Sequence, residues 1–298
     1  MTDKFPILCL GAMLWDLIGR NPARLAPGGD VPGRITQQPG GVALNVALAL
    51  ARQGLRPAIL SALGRDPQGD ALIAEAERRN IDTHWLMRQG QLPTDSYLAI
   101  ESPDGLVAAI ADTRALEAAG ASILAPLRDG RLGDARTPWR GTLVVDGNLT
   151  PSVLTLIARD PCLSAADLRI VPASPDKAAR LWPLLNHPRA TFHLNRAEAE
   201  ALTGRSFRSA ARAAEAVIAL GAPRVLVTDG NRLAADAVRG ARTLSEIPPQ
   251  VATVRVTGAG DAFLAAHFAA ELAGCDRPEA LSRAIRAAAA HISAKELS

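Results

Sequence analysis

A short glycine-containing stretch near the C-terminal end has the residue types that phosphoryl transfer would use. Gly258, Ala259, Gly260 and Asp261 stand directly before a run with helical periodicity. Glycines have no Cβ, so their backbone N–H groups can approach a ligand closely, and the N-terminus of a helix favours an anion. Asp261, in the first turn, could accept a proton from a hydroxyl group. The combination would suit phosphoryl transfer.

A structural role for this turn is equally open from these residues alone. Glycine-rich turns often precede helices, and an aspartate in a first turn is often only a cap. Two common phosphate-binding patterns are absent, because the sequence has no GK[ST] of a Walker A loop and no GxGxxG after its first apolar run. The missing GxGxxG argues against a dinucleotide-dependent oxidoreductase.

A second motif lies nearer the N-terminus. The segment PGGVALNVALALARQG places Gly40 and Gly41 before Asn45 at the start of a helical pattern, and Gly54 and Gly64 follow at wide spacing. With the GAGD turn, this motif resembles the two signatures of the PfkB, or ribokinase-like, family of sugar and nucleoside kinases. The resemblance extends over essentially the whole chain. Two signatures in the expected order are far more specific than either alone.

The resemblance implies roles for the matching positions on the acceptor side. Asp261 would be the base that deprotonates the acceptor hydroxyl, and the amides of Gly258, Ala259 and Gly260 would form an anion hole. The implied acceptor contacts in this part of the pattern are Asp16, Gly40, Gly41, Asn45 and Asn148. For Asp16 a turn cap is the structural alternative, and for Asn45 an ordinary helix position.

The resemblance also implies a nucleotide site with ATP and Mg²⁺ as cofactors. NRAEAEALTG resembles the family's Asn-x-x-Glu motif, with Asn195 near the phosphates and Glu198 organising Mg²⁺ and its waters. VLVTDG implies ATP contacts from Thr228 and Gly230, and Thr257 precedes the GAGD turn. The structural alternatives are a solvated helix face for Glu198 and ordinary strand-end polarity for Thr228. A requirement for a monovalent cation is left open.

Finer details favour one acceptor. VTGAGDA, DVPGRITQQPGGVALN, TDSYLAIESPDGLVAAIAD and VVDGN together resemble pseudouridine kinases. Thr94, Ser96 and Asp112 are then candidate contacts to the acceptor, and Asp112 could accept a hydrogen bond from the additional N–H of the uracil ring. The expected partner is thus a small nucleoside, phosphorylated on its 5′-hydroxyl. Another nucleoside or a free sugar, such as adenosine, ribose or fructose, remains an alternative.

Four positions depart from the family pattern: Val171, His193, Leu233 and Arg255. All would lie around nucleotide and Mg²⁺ binding. They leave open weak ATP affinity, a changed phosphoryl donor, or a non-catalytic ligand-binding protein on a degenerate kinase fold.

The elements that must position these residues alternate along the chain. Strand-like runs followed by helical runs predict an α/β fold with a doubly wound, mostly parallel sheet and helices on both faces, as the ribokinase-like resemblance also implies. One kinase domain would span residues 1–298. The Gly/Pro-rich segment and a hairpin at SPDG break the alternation and predict a small β lid from about 15–38 and 93–113.

Composition limits the remaining classes. The basic and acidic residues number 33 and 30 and are scattered, so a nucleic acid polymer is not expected as a partner. The three cysteines are far apart without a CxxC, which argues against a disulfide framework or zinc site and favours a cytoplasmic location. No apolar run approaches the length of a membrane span. Exposed lid edges leave a homodimer through the lid open.

Overall fold

The arrangement of strands and helices follows the predicted alternation. The computed structural model describes residues 7–22, 29, 31–252 and 257–293. Its strands are β1 (Ile7–Leu10), β2 (Leu14–Arg20), β3 (Arg34–Gly40), β4 (Pro57–Leu60), β5 (Ala62–Gly64), β6 (Met87–Gln89), β7 (Ser96–Ser102), β8 (Gly105–Asp112), β9 (Thr142–Asp146), β10 (Asp167–Val171), β11 (Ala190–Asn195), β12 (Arg224–Thr228), β13 (Ala234–Val238) and β14 (Leu244–Glu246). Its α-helices are α1 (Val42–Arg52), α2 (Pro67–Arg78), α3 (Arg114–Ala119), α4 (Pro151–Arg159), α5 (Pro175–Ala178), α6 (Arg196–Thr203), α7 (Ala210–Ala219), α8 (Ala259–Leu272) and α9 (Arg277–Ser293).

Eight of the described strands form the main sheet, in the order β14-β13-β12-β11-β10-β9-β1-β4. In this order, the strands from β12 to β4 are parallel to one another. At the edge beyond β12, β13 is antiparallel to β12, and β14 is antiparallel to β13. The chain passes from β1 to β4 on one side and later continues from β9 on the other. The order therefore reverses between β1 and β9, which is where open α/β sheets bind ligands beyond the carboxyl ends of their strands.

Helices cover both faces of the main sheet, as predicted. In β1, Leu8 and Leu10 join a core that includes α3, α4, α6 and α7, while Ile7 and Cys9 join a core with α1, α2 and α8. This alternation follows from the two-residue period of a strand. Because both faces are buried, the central strands are almost continuously apolar. In the described part of the chain, no helix is long and apolar enough to span a bilayer.

A second, four-stranded sheet has the order β3-β2-β7-β8, and it is called the small sheet below. Its strands β2 and β3 are inserted between β1 and α1, and β7 and β8 between β6 and α3. The hairpin predicted at SPDG is confirmed, since Ser102 pairs with Gly105 across the β7–β8 turn. The predicted strand at VRV, with Arg255, lies outside the described residues.

The two faces of the small sheet differ in character. Along one face, Asp16 of β2 lies beside Tyr97 of β7. The opposite face carries large apolar side chains that are exposed: Ile35, Leu98, Ile100 and Ile110. The face that bears Asp16 is therefore the one that can serve a ligand at the main sheet.

Candidate active site

The carboxyl ends of four neighbouring strands bring the candidate residues to one edge of the main sheet. Asp146 at the end of β9 is in register with Val171 of β10. Two strands further on, Asn195 at the end of β11 is in register with Thr228 of β12. Residues from distant parts of the sequence thus form one row along the edge of the sheet. The row begins at β9, next to the point where the strand order reverses.

The GAGD turn stands at the N-terminus of α8. Gly258 adopts a left-handed conformation with φ +83, and a Cβ on it would lie 2.8 Å from Nε2 of His291. That ring nitrogen is 2.9 Å from the carbonyl oxygen of Thr257. Among the described residues no side chain caps α8, so Asp261 does not act as a cap. A Cβ on Gly260 would meet nothing within 4 Å.

This geometry leaves the first amides of α8 without a capping partner, next to open space. The first N–H groups of any helix have no partner within it, and they favour a bound anion. The turn therefore fits a phosphate group, which is what an ATP-dependent reaction would place there.

The carboxyl group of Asp261 has an unusual environment. Burial raises its pKa, and the negative charges of Asp146 and Glu198 act in the same direction, so that the pKa is raised to about 7. A general base works best when its pKa lies near the working pH. Asp261 is thus poised to accept a proton near neutrality.

Asp146 is a site residue that the sequence analysis missed. Its carboxylate is fully buried and accepts hydrogen bonds from the amides of Ala12 at 2.8 Å, Ala43 at 3.1 Å and Asn148 at 2.6 Å. It thereby joins the β1–β2 connection, the first turn of α1 and its own loop. The available signal was an acid directly after the apolar run of VVDGN.

The Gly-Gly pair is required by close contacts. A Cβ on Gly40 would lie 2.3 Å from the carboxyl atoms of Asp16, and a Cβ on Gly41, at φ +92, would lie 2.4 Å from the carbonyl oxygen of Ala12. Burial raises the pKa of Asp16 to about 6, against a hydrogen bond from Gln38 that lowers it. The structure therefore brings Asp16, Gly40 and Gly41 together. Asn45 follows in the first turn of α1, where its amide donates to Gly41 at 2.9 Å.

Asn195 and Glu198 cap helix α6 reciprocally. The Glu198 amide donates to Asn195 Oδ1 at 2.9 Å, and the Asn195 amide donates to Glu198 Oε2 at 2.7 Å, a capping box. Burial raises the pKa of Glu198 to about 7. Both residues therefore have a structural role at the site, and Glu198 is held near Asp261. Gly230 follows Thr228 in a left-handed turn with φ +59.

The oxygen ligands that the described residues offer are compatible with Mg²⁺. Within those residues no cluster of three or more His, Cys, Asp or Glu side chains could hold a metal ion. Mg²⁺ usually keeps several waters and is bound through one or two carboxylates together with substrate phosphates. Glu198 is a carboxylate of this kind.

Three candidate acceptor contacts already have protein partners. The Thr94 hydroxyl donates to Asp66 Oδ1 at 2.6 Å, and Asp66 caps α2. Asp112 forms a two-point ion pair with Arg114, at 2.7 and 2.8 Å, which lowers the pKa of Asp112. Ser96 begins β7 and lies opposite Asp112 in register. Asn148 is buried and accepts a hydrogen bond from a lysine, Lys177.

The departures from the family pattern lie in different environments. Val171 ends β10 beside Asp146, and His193 is buried in β11. Leu233 is 40% exposed in the turn after β12. Arg255 lies outside the described residues.

Comparison with known proteins identifies the family. The profile described as pfkB family carbohydrate kinase matches residues 4–298. An uncharacterized sugar kinase of Escherichia coli (strain K12) is 30% identical over 155 residues, which cover 52% of this chain and 41% of that relative. The pseudouridine kinase of the same organism is 28% identical over 272 residues, covering 89% of this chain and 83% of the relative.

Solved structures agree on the fold. A carbohydrate kinase from Agrobacterium tumefaciens has a TM-score of 0.80 at 29% identity, covering 99% of this chain and 92% of its own. Arabidopsis thaliana ribokinase complexed with ribose and ATP has a TM-score of 0.78 at 20% identity, covering 98% and 93%, and at that identity the likeness shows the ribokinase-like fold alone. Since the profile matches nearly the whole chain and the GAGD turn lies beside the strand-order reversal, this chain belongs to the pfkB family of carbohydrate kinases, phosphotransferases that act on a hydroxyl group.

Proposed function

We propose that this chain transfers the γ-phosphoryl group of MgATP to the 5′-hydroxyl of pseudouridine. The observation that carries the chemistry is the first turn of α8, where uncapped amides and an aspartate with a pKa of about 7 occur together. This turn lies at the edge of the main sheet where the acceptor and nucleotide candidates converge.

In the proposed reaction, Asp261 accepts the proton as the 5′-oxygen attacks the γ-phosphorus. The new O–P bond forms while the bond from the γ-phosphorus to the bridging oxygen of ADP breaks. The amides of Gly258, Ala259 and Gly260 stabilise the charge on the transferring group. Glu198 would hold Mg²⁺ through waters, and the ion would supply positive charge against the phosphates.

The nucleotide would lie over the ends of β11 and β12. Asn195 and Thr228 stand side by side there, with Gly230 in the following turn and Thr257 just before α8. A monovalent cation is a further proposed cofactor, which is tested by comparing turnover in potassium and in tetramethylammonium buffers. The proposal includes a cytoplasmic location, where ATP is made, consistent with three free cysteines.

The choice of pseudouridine is supported by the 28% identity over 89% of the chain. Asp16 would bind a ribose hydroxyl. Ser96 and Asp112 lie opposite each other but share the outer face of the small sheet with Leu98 and Ile110, so they would not face the same ligand as Asp16. Another nucleoside or a free sugar is the second candidate, favoured by the similarity to a sugar kinase.

We further propose that residues 1–298 act as one kinase domain, with the small sheet as its lid, and that two copies associate through the lid. The outer face of the small sheet exposes Ile35 by 77% and Ile110 by 68%, and contiguous exposed apolar surface commonly marks an interface. The expected species is a homodimer in analytical ultracentrifugation, converted to a monomer by Ile110→Lys. A monomeric wild type would overturn this association.

The deciding experiment measures ADP release with MgATP against pseudouridine, uridine, adenosine, ribose and fructose. Turnover should be highest with pseudouridine and should fall about 10²–10⁴-fold in Asp261→Asn, the range for a lost general base. Glu279→Gln, on the exposed side of α9, is the matched control and should keep wild-type turnover. Preference for another acceptor would refute the substrate. Binding without turnover of any acceptor would favour a non-catalytic ligand-binding protein.

A further inference from the structure

A half-buried lysine near the acceptor loops has no role in the reaction described so far. Lys177 lies in α5, just after β10, and its Nζ donates to Asn148 Oδ1 at 2.5 Å. No described carboxylate forms an ion pair with it. An ammonium group has three donors, so two remain for other acceptors. The two unused donors of this half-buried ammonium group are therefore available to a ligand that carries an acceptor atom.

Lys177 is connected to Asp146 through one residue. Asn148 accepts from Lys177 through its side-chain oxygen, while its amide donates to Asp146 Oδ1 at 2.6 Å. Asn148 is thus held by Asp146 through its backbone amide and by Lys177 through its side chain, which keeps the ammonium group close to the buried acid.

The loop between β10 and α5, just before Lys177, has a strained backbone. Ala173 has φ +72, a conformation that residues with a Cβ rarely adopt. The neighbouring loop is pressed against it, since a Cβ on Gly147 would lie 2.2 Å from the carbonyl oxygen of Pro172. The Gly147 amide donates to Val171 at 2.8 Å. Such strain persists where the surrounding structure imposes it, and it clusters at binding sites.

Hydrogen bonds connect Lys177 to the acceptor side of the site. Its partner Asn148 donates to Asp146, which binds the amides of Ala12 and Ala43 beside the Gly-Gly pair. The charges of Asp146 and Glu117 also act on the ammonium group. Glu117 belongs to α3, which begins directly after the small-sheet strand β8. Lys177 therefore lies between the acceptor loop and the return from the lid. The end of the acceptor that is remote from the 5′-hydroxyl would lie there.

The residue type is also informative. Only three lysines occur among the 33 basic residues of the chain, so arginine is the usual cation in this protein. Lysine is a compact point charge, whereas arginine presents a planar fork suited to carboxylates and phosphates. A single oxygen atom is the better match for Lys177.

We infer that Lys177 is a specificity-determining residue that donates a hydrogen bond to a carbonyl oxygen of the acceptor's base, with Asn148 as the residue that positions it. The inference rests on the proposed pseudouridine kinase function and names the group that selects a nucleoside over a free sugar. Uracil presents two carbonyl oxygens, of which one lies at the end of the ring remote from the sugar, and the ribose ring presents none.

The test compares Lys177→Met and Lys177→Gln with the wild type on pseudouridine and on ribose. KM for pseudouridine should rise about 10–100-fold with kcat nearly unchanged, because a lost ground-state contact raises KM alone. The kcat/KM for ribose should stay within about threefold, since that acceptor never makes the contact. Calorimetry without ATP should show the same loss of affinity for pseudouridine. Arg159→Gln, exposed at the end of α4, controls for charge removal and should match the wild type.

Two outcomes are distinguishable. Equal losses on pseudouridine and ribose in both variants would mean that Lys177 only orients Asp146, and the inference would fail while the function stands. A wild type that phosphorylates ribose but not pseudouridine would overturn the function itself, before any variant is made. If Lys177→Met does not fold, Lys177→Gln, which keeps an amide next to Asn148, decides the matter.

Discussion

The carboxylate of Asp146 occupies the space that a side chain on residue 11 would need. A Cβ on Gly11 would lie 2.3 Å from both Cγ and Oδ2 of Asp146, and Gly11 has φ +148. The main chain therefore packs directly against the carboxylate of Asp146 just after β1. Two requirements, space and backbone conformation, select glycine at this position.

Gly11→Ala should destabilise the protein strongly. The clash with a buried carboxylate and the strained φ together are expected to lower the free energy of unfolding by about 3 kcal/mol or more, as measured by urea denaturation. Gly90→Ala is the control, since a Cβ there meets nothing within 4 Å. Equal stabilities for the two variants would refute the close contact.

The rate should depend on pH through Asp261. Its pKa is raised to about 7, and a base must be unprotonated, so kcat/KM for the acceptor should rise between pH 5.5 and 8 with a midpoint near 7. The residual rate of Asp261→Asn should lack this rise. A wild-type profile that is flat from pH 6 to 8 would show that another group takes the proton.

The main sheet could be predicted from sequence because its strands are apolar on both faces and alternate with helices. The ends of two helices could also be predicted from their cap residues. Asp66 precedes Pro67 at the start of α2, and Gly204 ends α6 in a left-handed conformation with φ +66. These are local signals, and local signals survive folding when they agree with the tertiary packing.

The site was harder to predict wherever contacts join distant segments. Asp146 accepts hydrogen bonds from the amides of residues 12 and 43, and no local sequence pattern predicts these contacts. Thr94 and Asp112 were expected to face the acceptor, but no local pattern indicated that Asp66 and Arg114 would engage them. The sequence shows which side chains could bind a ligand, but it does not show which of them form hydrogen bonds or ion pairs within the protein.

Two buried histidines should make the protein sensitive to acid. His193 of β11 and His267 of α8 have ring centroids 5.7 Å apart. Burial lowers the pKa of both, that of His267 to about 4. The charges of Arg169 and Arg224 act in the same direction on both, while Glu271 opposes them at His267.

The sign follows from comparing folded and unfolded states. An unfolded histidine has a pKa of about 6.5, so below that pH the unfolded chain takes up protons that the folded chain excludes. Stability should therefore fall as the pH decreases from about 6.5 towards 4. His193→Leu should flatten the dependence of Tm on pH between 7.5 and 5. His84→Leu, at an exposed position, should leave the slope unchanged; an unaltered slope in His193→Leu would contradict the assignment.

Asp236 should be essential to a buried ion-pair network at the other end of the sheet. Its fully buried carboxylate pairs with Arg224 at 2.9 Å and Arg277 at 3.1 Å. Removing one member of such a network leaves uncompensated charge, so Asp236→Ala should lower the free energy of unfolding by about 3–5 kcal/mol. Glu279→Ala, in an exposed pair with Arg283, should change it little. Similar midpoints in urea for both variants would refute a buried network.

The small sheet is made from two separate excursions of the chain, one between β1 and α1 and one between β6 and α3. As far as their residues are described, neither excursion contributes a strand to the main sheet, which carries the row of residues from Asp146 to Thr228. Substitutions on the small sheet can therefore accumulate without disturbing the half of the molecule that would handle phosphate. Acceptor contacts on the small sheet and phosphoryl transfer are in this sense separately evolvable, and exchanging these two insertions together with the Asn148–Lys177 pair offers a direct route to kinases with new acceptors.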